Sequence, residues 1–360
     1  MSGRAGLSAA IGLCAAASLA NALAAVPRYA AETCSRVALV DTATGDAIRG
    51  AEDLTVDSGH DRLIVSAHDR RAVAKAVSAR AGDVPQGGIY AVSFSDIRDR
   101  LGKVAAAPLV DPASVPGGLR PHGVAYIPQT DEIAFVNRAY QKIDGRWRLT
   151  PKIVRVGVGD GAAGGEQKPT HCAANDLIAD EAGLLVSFDH GDCGGWRRSL
   201  EEALALRRSG VSDENGAPLF DGAAYANGLL QLVDGSIAVA ATREKALLIL
   251  DRSGAAAPGR RIALPGGPDN LTPSNDEVVA AVHPSTLRLA AALRLGLGKA
   301  PSRAVKIDPA TGDVRVLFDD PTGRLFSGAS VAVERDGVLI LGSAIDEGLL
   351  VCHGAAQQET

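Results

Sequence analysis

Aromatic residues are scarce, with six Phe, five Tyr and two Trp in 360 residues, and there is a single Met. An excess of positive charge is also missing: 37 Lys and Arg face 42 Asp and Glu, for a formal net charge of −5. No basic run is left over for a phosphate backbone, so no nucleic-acid partner is expected. No Cys-x-x-Cys pair occurs, which argues against a zinc site built on such pairs. No Gly-x-Ser-x-Gly elbow occurs either, which disfavours a serine hydrolase. Past the N-terminus no apolar run approaches the length that spans a bilayer. What is present is a 46% apolar chain with 41 Gly and 18 Pro in no fixed period, a composition for a folded, turn-rich protein.

The first residues read as an export signal over 1–24. Arg4 gives the positive start, residues 5–20 are almost wholly apolar or small, and Ala22-Leu23-Ala24 offers a small-x-small cleavage pattern. Ile11-Gly12-Leu13-Cys14 makes a poor lipobox, because Leu stands where a small residue should precede the Cys. An uncleaved anchor is the alternative, and membrane association is expected only through this segment. The protein is therefore expected to be periplasmic or secreted, with residues 25–360 forming one domain. Loss of the signal removes Cys14 and leaves Cys34, Cys172, Cys193 and Cys352, an even number that invites two disulfides after export.

Six segments share one grammar, a small or polar start followed by alternating apolar positions: 52–56, 122–126, 175–179, 227–230, 269–272 and 327–331. A turn and a second β-rich run follow each, as in 63–66 or 237–240, and most have a third. Such a repeat predicts an all-β, six-bladed β-propeller, since one blade alone cannot bury both faces of its sheet. A β-sandwich explains the strand density but not six equivalent polar starts. In the third repeat, Trp196, Leu200, Ala203 and Leu204 recur at helical spacing, which predicts a short helical insertion over 196–208 in place of a third strand. The strand at 35–40 precedes the first repeat and is expected to return beside 349–352, bringing Cys34 to Cys352 in a ring-closing disulfide. Cys172 and Cys193 fall at one end of the third repeat, which predicts a second bridge.

In a propeller the first strand of each blade lines the axis, so Glu52, Asp53, His122, Asn175, Asp176, Asn227, Asp269, Asn270 and Ser327 are expected to converge. These are almost all hard oxygen donors, the chemistry of calcium rather than of a soft metal. Alternation along a strand divides them: if Glu52 and Asn175 face one ion, Asp53 and Asp176 face a second, deeper one. The plainer alternative is that Asn and Asp cap turns entering the strands. His122 is the one axial histidine and a candidate general base beside a polarised water or ester. His190 and His283 end second strands and should rim the same mouth, with His68 a further candidate. His60, His171 and His353 look like loop or terminal residues.

The segments 50–54, 120–124, 174–178, 225–229, 268–271 and 282–284, in this order, resemble the serum paraoxonase/arylesterase family of calcium-dependent lactonases. The resemblance spans roughly Cys34 to Cys352. It implies a six-bladed propeller with two calcium ions that hydrolyses lactones and aryl esters. It implies that Glu52, Asn175, Asn227, Asp269 and Asn270 hold a catalytic calcium, and that Asp53, Asp176 and the backbone oxygen of Val124 hold a structural one. It further implies a catalytic role for His122, pocket positions for His190 and His283, and the Cys34–Cys352 disulfide. One position departs: Asn137 is followed by Arg138, where the family has the second histidine of a catalytic dyad. A guanidinium cannot relay a proton. His122 would then work alone, or Glu52 would serve as both ligand and base, and Arg138 would be free to recognise an anionic substrate group. Two other readings stand beside this one. Gluconolactonase-like propellers share the axial Glu/Asn/Asp logic, and an exported, calcium-stabilised propeller could bind a partner without catalysis.

Overall fold

The computed structural model describes residues 27–99, 102–158, 165–252 and 258–354; the expected signal over 1–24 lies outside them. Strands dominate, and they are organised in antiparallel meanders of four. The first runs through Ala51–Asp57, Arg62–Ala67, Gly88–Ser93 and Gly102–Pro108. The second uses Pro121–Ile127, Glu132–Asn137, Lys152–Gly157 and Glu166–Pro169, and the third Ala174–Asp180, Gly183–Phe188, Ser209–Asp213 and Pro218–Ala223. The fourth uses Ala226–Gln231, Ile237–Ala241, Ala246–Leu250 and Arg260–Ala263, and the fifth Gly267–Ser274, Glu277–His283, Ser302–Ile307 and Val314–Asp320. The last meander joins the two ends of the chain: Ala329–Arg335, Val338–Ser343 and Leu349–His353 are completed by Cys34–Asp41. That strand also pairs in parallel with Gly102–Pro108, so the last and first meanders merge into one eight-stranded sheet.

The first strands touch one another in cyclic order, and Ala329–Arg335 returns to Ala51–Asp57. Burial follows from this order. Second strands such as Ile237–Ala241 and Val338–Ser343 are buried at every residue, because sheets pack on both of their faces. The outer Gly102–Pro108 shows two buried positions among exposed ones. Leu54, Val65 and Val92 of the first meander pack with Val333 and Ile340 of the last in one cluster between the sheets. Asp336 and Gly337 both have positive φ, as a two-residue hairpin turn requires.

Both expected disulfides are present. Cys34 and Cys352 face each other in strand register and are bonded, closing a loop of sequence separation 318. By chain entropy such a closure contributes about 6 kcal/mol. Cys172 is bonded to Cys193.

The third meander corrects one expectation. Its helix, Gly195–Leu204, does not replace a strand but precedes one: Ser209–Asp213 pairs with Gly183–Phe188. Ser-Gly-Val-Ser-Asp carries almost no apolar signal, yet its first four residues are buried. The Ser209 hydroxyl satisfies neighbouring backbone by donating to Ala223 O and accepting from Ala226 N. Helical insertions also follow the second strands of the first and fifth meanders, at Arg70–Ser78 and Thr286–Ala290. These pieces tie to one another: Arg71 donates to the Ala292 carbonyl, and Arg294 pairs with Glu202 at 2.5 Å. Among the described residues no helix is long and apolar enough to cross a membrane.

Candidate active site at the start of the innermost strands

Every one of the six first strands carries a register shift against its second strand at the same place. The shifts fall between Ala51 and Asp53, Pro121 and Val124, Ala174 and Leu177, Ala226 and Leu229, Pro268 and Leu271, and Ala329 and Val331. Each inserts one extra residue, and such a bulge bends the strand and re-aims its side chains. The residues within the bulges include Glu52, His122, Asn175, Asp176, Asn227, Asp269 and Asn270, all buried. Two glycines make the approach of neighbouring strands possible. A Cβ on Gly123 would collide with the Asp176 Cα, and one on Gly228 with the Asp269 carbonyl and the Asn270 Cα. The Pro-His-Gly and Asn-Gly motifs therefore combine a chemical side chain with the small residue that lets the next strand close in.

Glu52 stands at the centre. Its Oε1 accepts from Arg70 Nη1 at 2.5 Å, and its Oε2 lies 3.0 Å from His122 Nδ1, a distance not aligned as a hydrogen bond. Its backbone oxygen accepts from Asn270 Nδ2 at 3.0 Å and Ser330 Oγ at 2.7 Å. Burial works against the charge, but Arg70 and His122 overcome it and hold the carboxyl well below the usual range. His122 is pushed down by burial, only partly offset by Glu52, so it is neutral at pH 7. Its Nε2 is buried with no hydrogen-bond partner.

Beneath lie Asp53 and Asp176. Asp53 accepts from the N–H groups of Val124 at 2.7 Å and Leu54 at 2.9 Å; Asp176 accepts from Leu229 at 2.8 Å and Leu177 at 2.7 Å. Burial raises both carboxyls, Asp176 to about 7, and the Asp176 charge lifts Asp53 further. Both line a cavity of ≈ 210 Å³ that continues along the first strands past Val124, Leu229 and Leu271. Val124 was expected to contribute its backbone oxygen to an ion; the contact recorded is its N–H on Asp53.

The remaining sequence-derived residues gather at the same level. Asn227 Nδ2 donates to Asp269 Oδ1 at 2.5 Å, and Asp269 Oδ2 meets His283 Nε2 at 2.7 Å. Asn175 donates to Asp189 at 3.4 Å, and Asp189 holds His190 Nδ1 at 2.6 Å. His68 Nδ1 lies 2.8 Å from the Pro121 carbonyl, its ring edge-on to His122. Ser327 is the exception: its hydroxyl accepts from Ala300 N, and the residue reaching the axis is Ser330, because the bulge of this strand falls three residues later. Arg70, Asp189, Tyr225 and Thr242 also belong here, and the sequence reading missed them. Tyr225 packs edge-on against His190, and Thr242 Oγ1 bridges Asn227 to the Pro268 carbonyl. Asp189, Tyr225 and Thr242 lie within two residues of a strand end or start that was recognised, and that nearness was the available signal; Arg70 opens a helix that was not recognised.

The donor set fits calcium. A buried Glu52 oxygen without a hydrogen-bond partner, side-chain amide and carboxylate oxygens from three further strands, and two buried carboxylates whose proton affinity is raised by burial and by nearby carboxylates form a hard anionic environment.

Comparison with protein-family models and with curated proteins gave no match. Solved structures do match. One is a structural-genomics protein titled as a candidate gluconolactonase, at TM-score 0.51 and 14% identity over 89% of this chain and 91% of that one. Another is the PQQ-bound aldose sugar dehydrogenase of Streptomyces coelicolor, at TM-score 0.51 and 12% identity over 85% and 94%. At such identities the likeness concerns the fold: an all-β, strand-dominated, propeller-like protein.

Proposed function

We propose that this protein is an exported lactonase that holds calcium at the axis of a six-bladed propeller. The observation that carries the reading is the bulged convergence of Glu52, Asn175, Asn227, Asp269 and Asn270 with a neutral, buried His122 beside Glu52. Glu52, Asn175, Asn227, Asp269 and Asn270 would hold one calcium ion; Asp53 and Asp176, with backbone at Val124, would hold the other. Calcium so placed supplies a Lewis acid for the ester carbonyl and counters the negative charge that develops on its oxygen.

The chain supplies the rest. Glu52 beside Nδ1 favours the proton there, which leaves the unpartnered Nε2 of His122 to take a proton from an attacking water. His283 and Thr242 hold Asp269 and Asn227 in place, as outer partners do for metal ligands. The two disulfides agree with export to an oxidising compartment.

Lactones are favoured over aryl esters as substrates. The gluconolactonase-titled neighbour shares the fold, and the side chains paired at the strand starts are His, Asp, Arg and Tyr. Aryl-ester hydrolysis, which the motif resemblance implies, is the second reading. The test is turnover of gluconolactone, simple γ- and δ-lactones and phenyl acetate, with calcium and after chelation. Chelator-sensitive lactone opening supports the proposal. Faster phenyl acetate hydrolysis would favour the second reading, and no lactone turnover under any condition would overturn the first.

A further inference from the structure

The Arg138 guanidinium has no hydrogen bond, ion pair or ring contact among the described residues; Arg197, which also lacks a hydrogen bond or ion pair, lies over the Trp196 ring. Its neighbours are all engaged. Arg70 is on Glu52 at 2.5 Å, Arg198 lies 3.5 Å from Asp189, and Arg120 donates to the carbonyls of Val84, Pro85 and Gly117. The carboxylates are engaged too, Asp189 with His190 at 2.6 Å and Asp269 with His283 at 2.7 Å.

The backbone fixes where Arg138 emerges. It follows Asn137, whose register partner is Pro121, and its N–H donates to the Arg120 carbonyl at 2.9 Å. The fully buried Asn137 side chain locks that corner, accepting from Arg120 N at 2.7 Å and donating to Gly118 O at 3.1 Å. Arg138 thus stands beside the strand start that carries His122. Its charge is felt at His68, His122, Asp189 and Tyr225, which end or begin strands of four different meanders. Arg138 is thus near enough to the mouth to act on all four.

A half-buried guanidinium with no acceptor is costly, and its planar fork of donors matches a carboxylate. We propose that Arg138 binds a carboxylate carried by the substrate, so that the lactones this protein opens are anionic ones. This rests on the lactonase reading, but its test separates the two.

The probes are γ-carboxy-γ-butyrolactone and its neutral carboxamide. Both rings open to the same new carboxylate, so the comparison isolates the pendant one. The calcium-loaded wild type is expected to prefer the acid in kcat/KM. Arg138→Met should reduce that preference about ten- to hundredfold, the range for a hydrogen bond to a charged group. Arg138→Lys should retain part of it. In parallel, calorimetric titration with the ring-opened diacid, 2-hydroxyglutarate, should show binding that weakens about tenfold or more in Arg138→Met. A melting curve for each variant shows that it is folded. If neither lactone opens while the diacid binds through Arg138, the lactonase reading falls and the anion site stands. If the lactones open but neither the preference nor diacid binding depends on Arg138, the anion site falls and the lactonase stands. Absence of Arg138-dependent diacid binding overturns the proposal whatever the turnover.

Discussion

His122 Nδ1 lies 3.0 Å from Glu52 Oε2, with both side chains only 3% exposed. Burial keeps the imidazole neutral while the carboxylate stays charged, the division of labour that a base and its orienting partner need. His122→Gln should lower lactone kcat/KM by roughly a hundredfold or more, the usual worth of general-base help. In the wild type, kcat/KM should rise with pH through a value below the ordinary histidine 6.5 and stay flat through neutrality. A pH profile that breaks above 7, or near-normal turnover in His122→Gln, would move the base elsewhere.

Asp53 and Asp176 lead to a stability prediction. Unfolded, both titrate near 3.8; folded, burial raises Asp176 to about 7 and Asp53 above its normal value. In stripped protein, the stability linked to these groups is complete below about pH 4 and is lost as pH rises through about 7. Calcium binds the deprotonated pair and should reverse that trend. Buried His68, pushed down to about 3, makes its own contribution at acid pH, but it does so with or without the ion. The gap in Tm between calcium-loaded and chelated protein should therefore widen from pH 5 to pH 8. Calorimetry at the two pH values measures it, and a constant gap would mean that the two aspartates do not face an ion.

Much of this arrangement could be read in the sequence. The polar starts at 52, 122, 175, 227 and 269 were visible because an innermost strand keeps its apolar alternation after the bulge, and the ring closure because 35–40 stands ahead of the first repeat. The outer strands were not. Glu166–Pro169 and Arg260–Ala263 are short and polar, held by pairing to one neighbour rather than by burial. The helix at Arg70–Ser78 was missed, and with it Arg70, because its segment is mostly Arg, Ala and Lys with one buried residue, Val73. Alternation separates Glu52 from Asp53 and Asn175 from Asp176, but it does not reveal the bulges in which these doublets sit. The bulges set those directions, and a register shift leaves no mark in a single sequence.

The two disulfides should differ in worth. By loop length, Cys34–Cys352 contributes about 6 kcal/mol and Cys172–Cys193 about 3 kcal/mol. Denaturant midpoints of Cys34→Ser/Cys352→Ser and Cys172→Ser/Cys193→Ser double variants should fall in that order. The reverse order would show that ring closure is secured by strand pairing rather than by the bridge.

Gly123→Ala should destabilise the protein by about 1–3 kcal/mol, since the new Cβ meets the Asp176 backbone, which cannot swing aside. Calcium affinity should drop with it, because the collision displaces Asp176. Urea unfolding and a calcium titration check both. A neutral substitution would mean that the second and third first strands are farther apart at the axis than described.

The most direct test is to strip the protein of metal, titrate calcium back, and follow bound calcium and lactone opening on the same samples, with Asn227→Ala and Asp269→Ala alongside. Calcium-dependent catalysis at the strand starts requires no turnover in stripped protein, recovery as calcium binds up to two ions per chain, and no recovery in either variant. Full turnover in stripped protein, or calcium binding that leaves turnover unchanged, would contradict it.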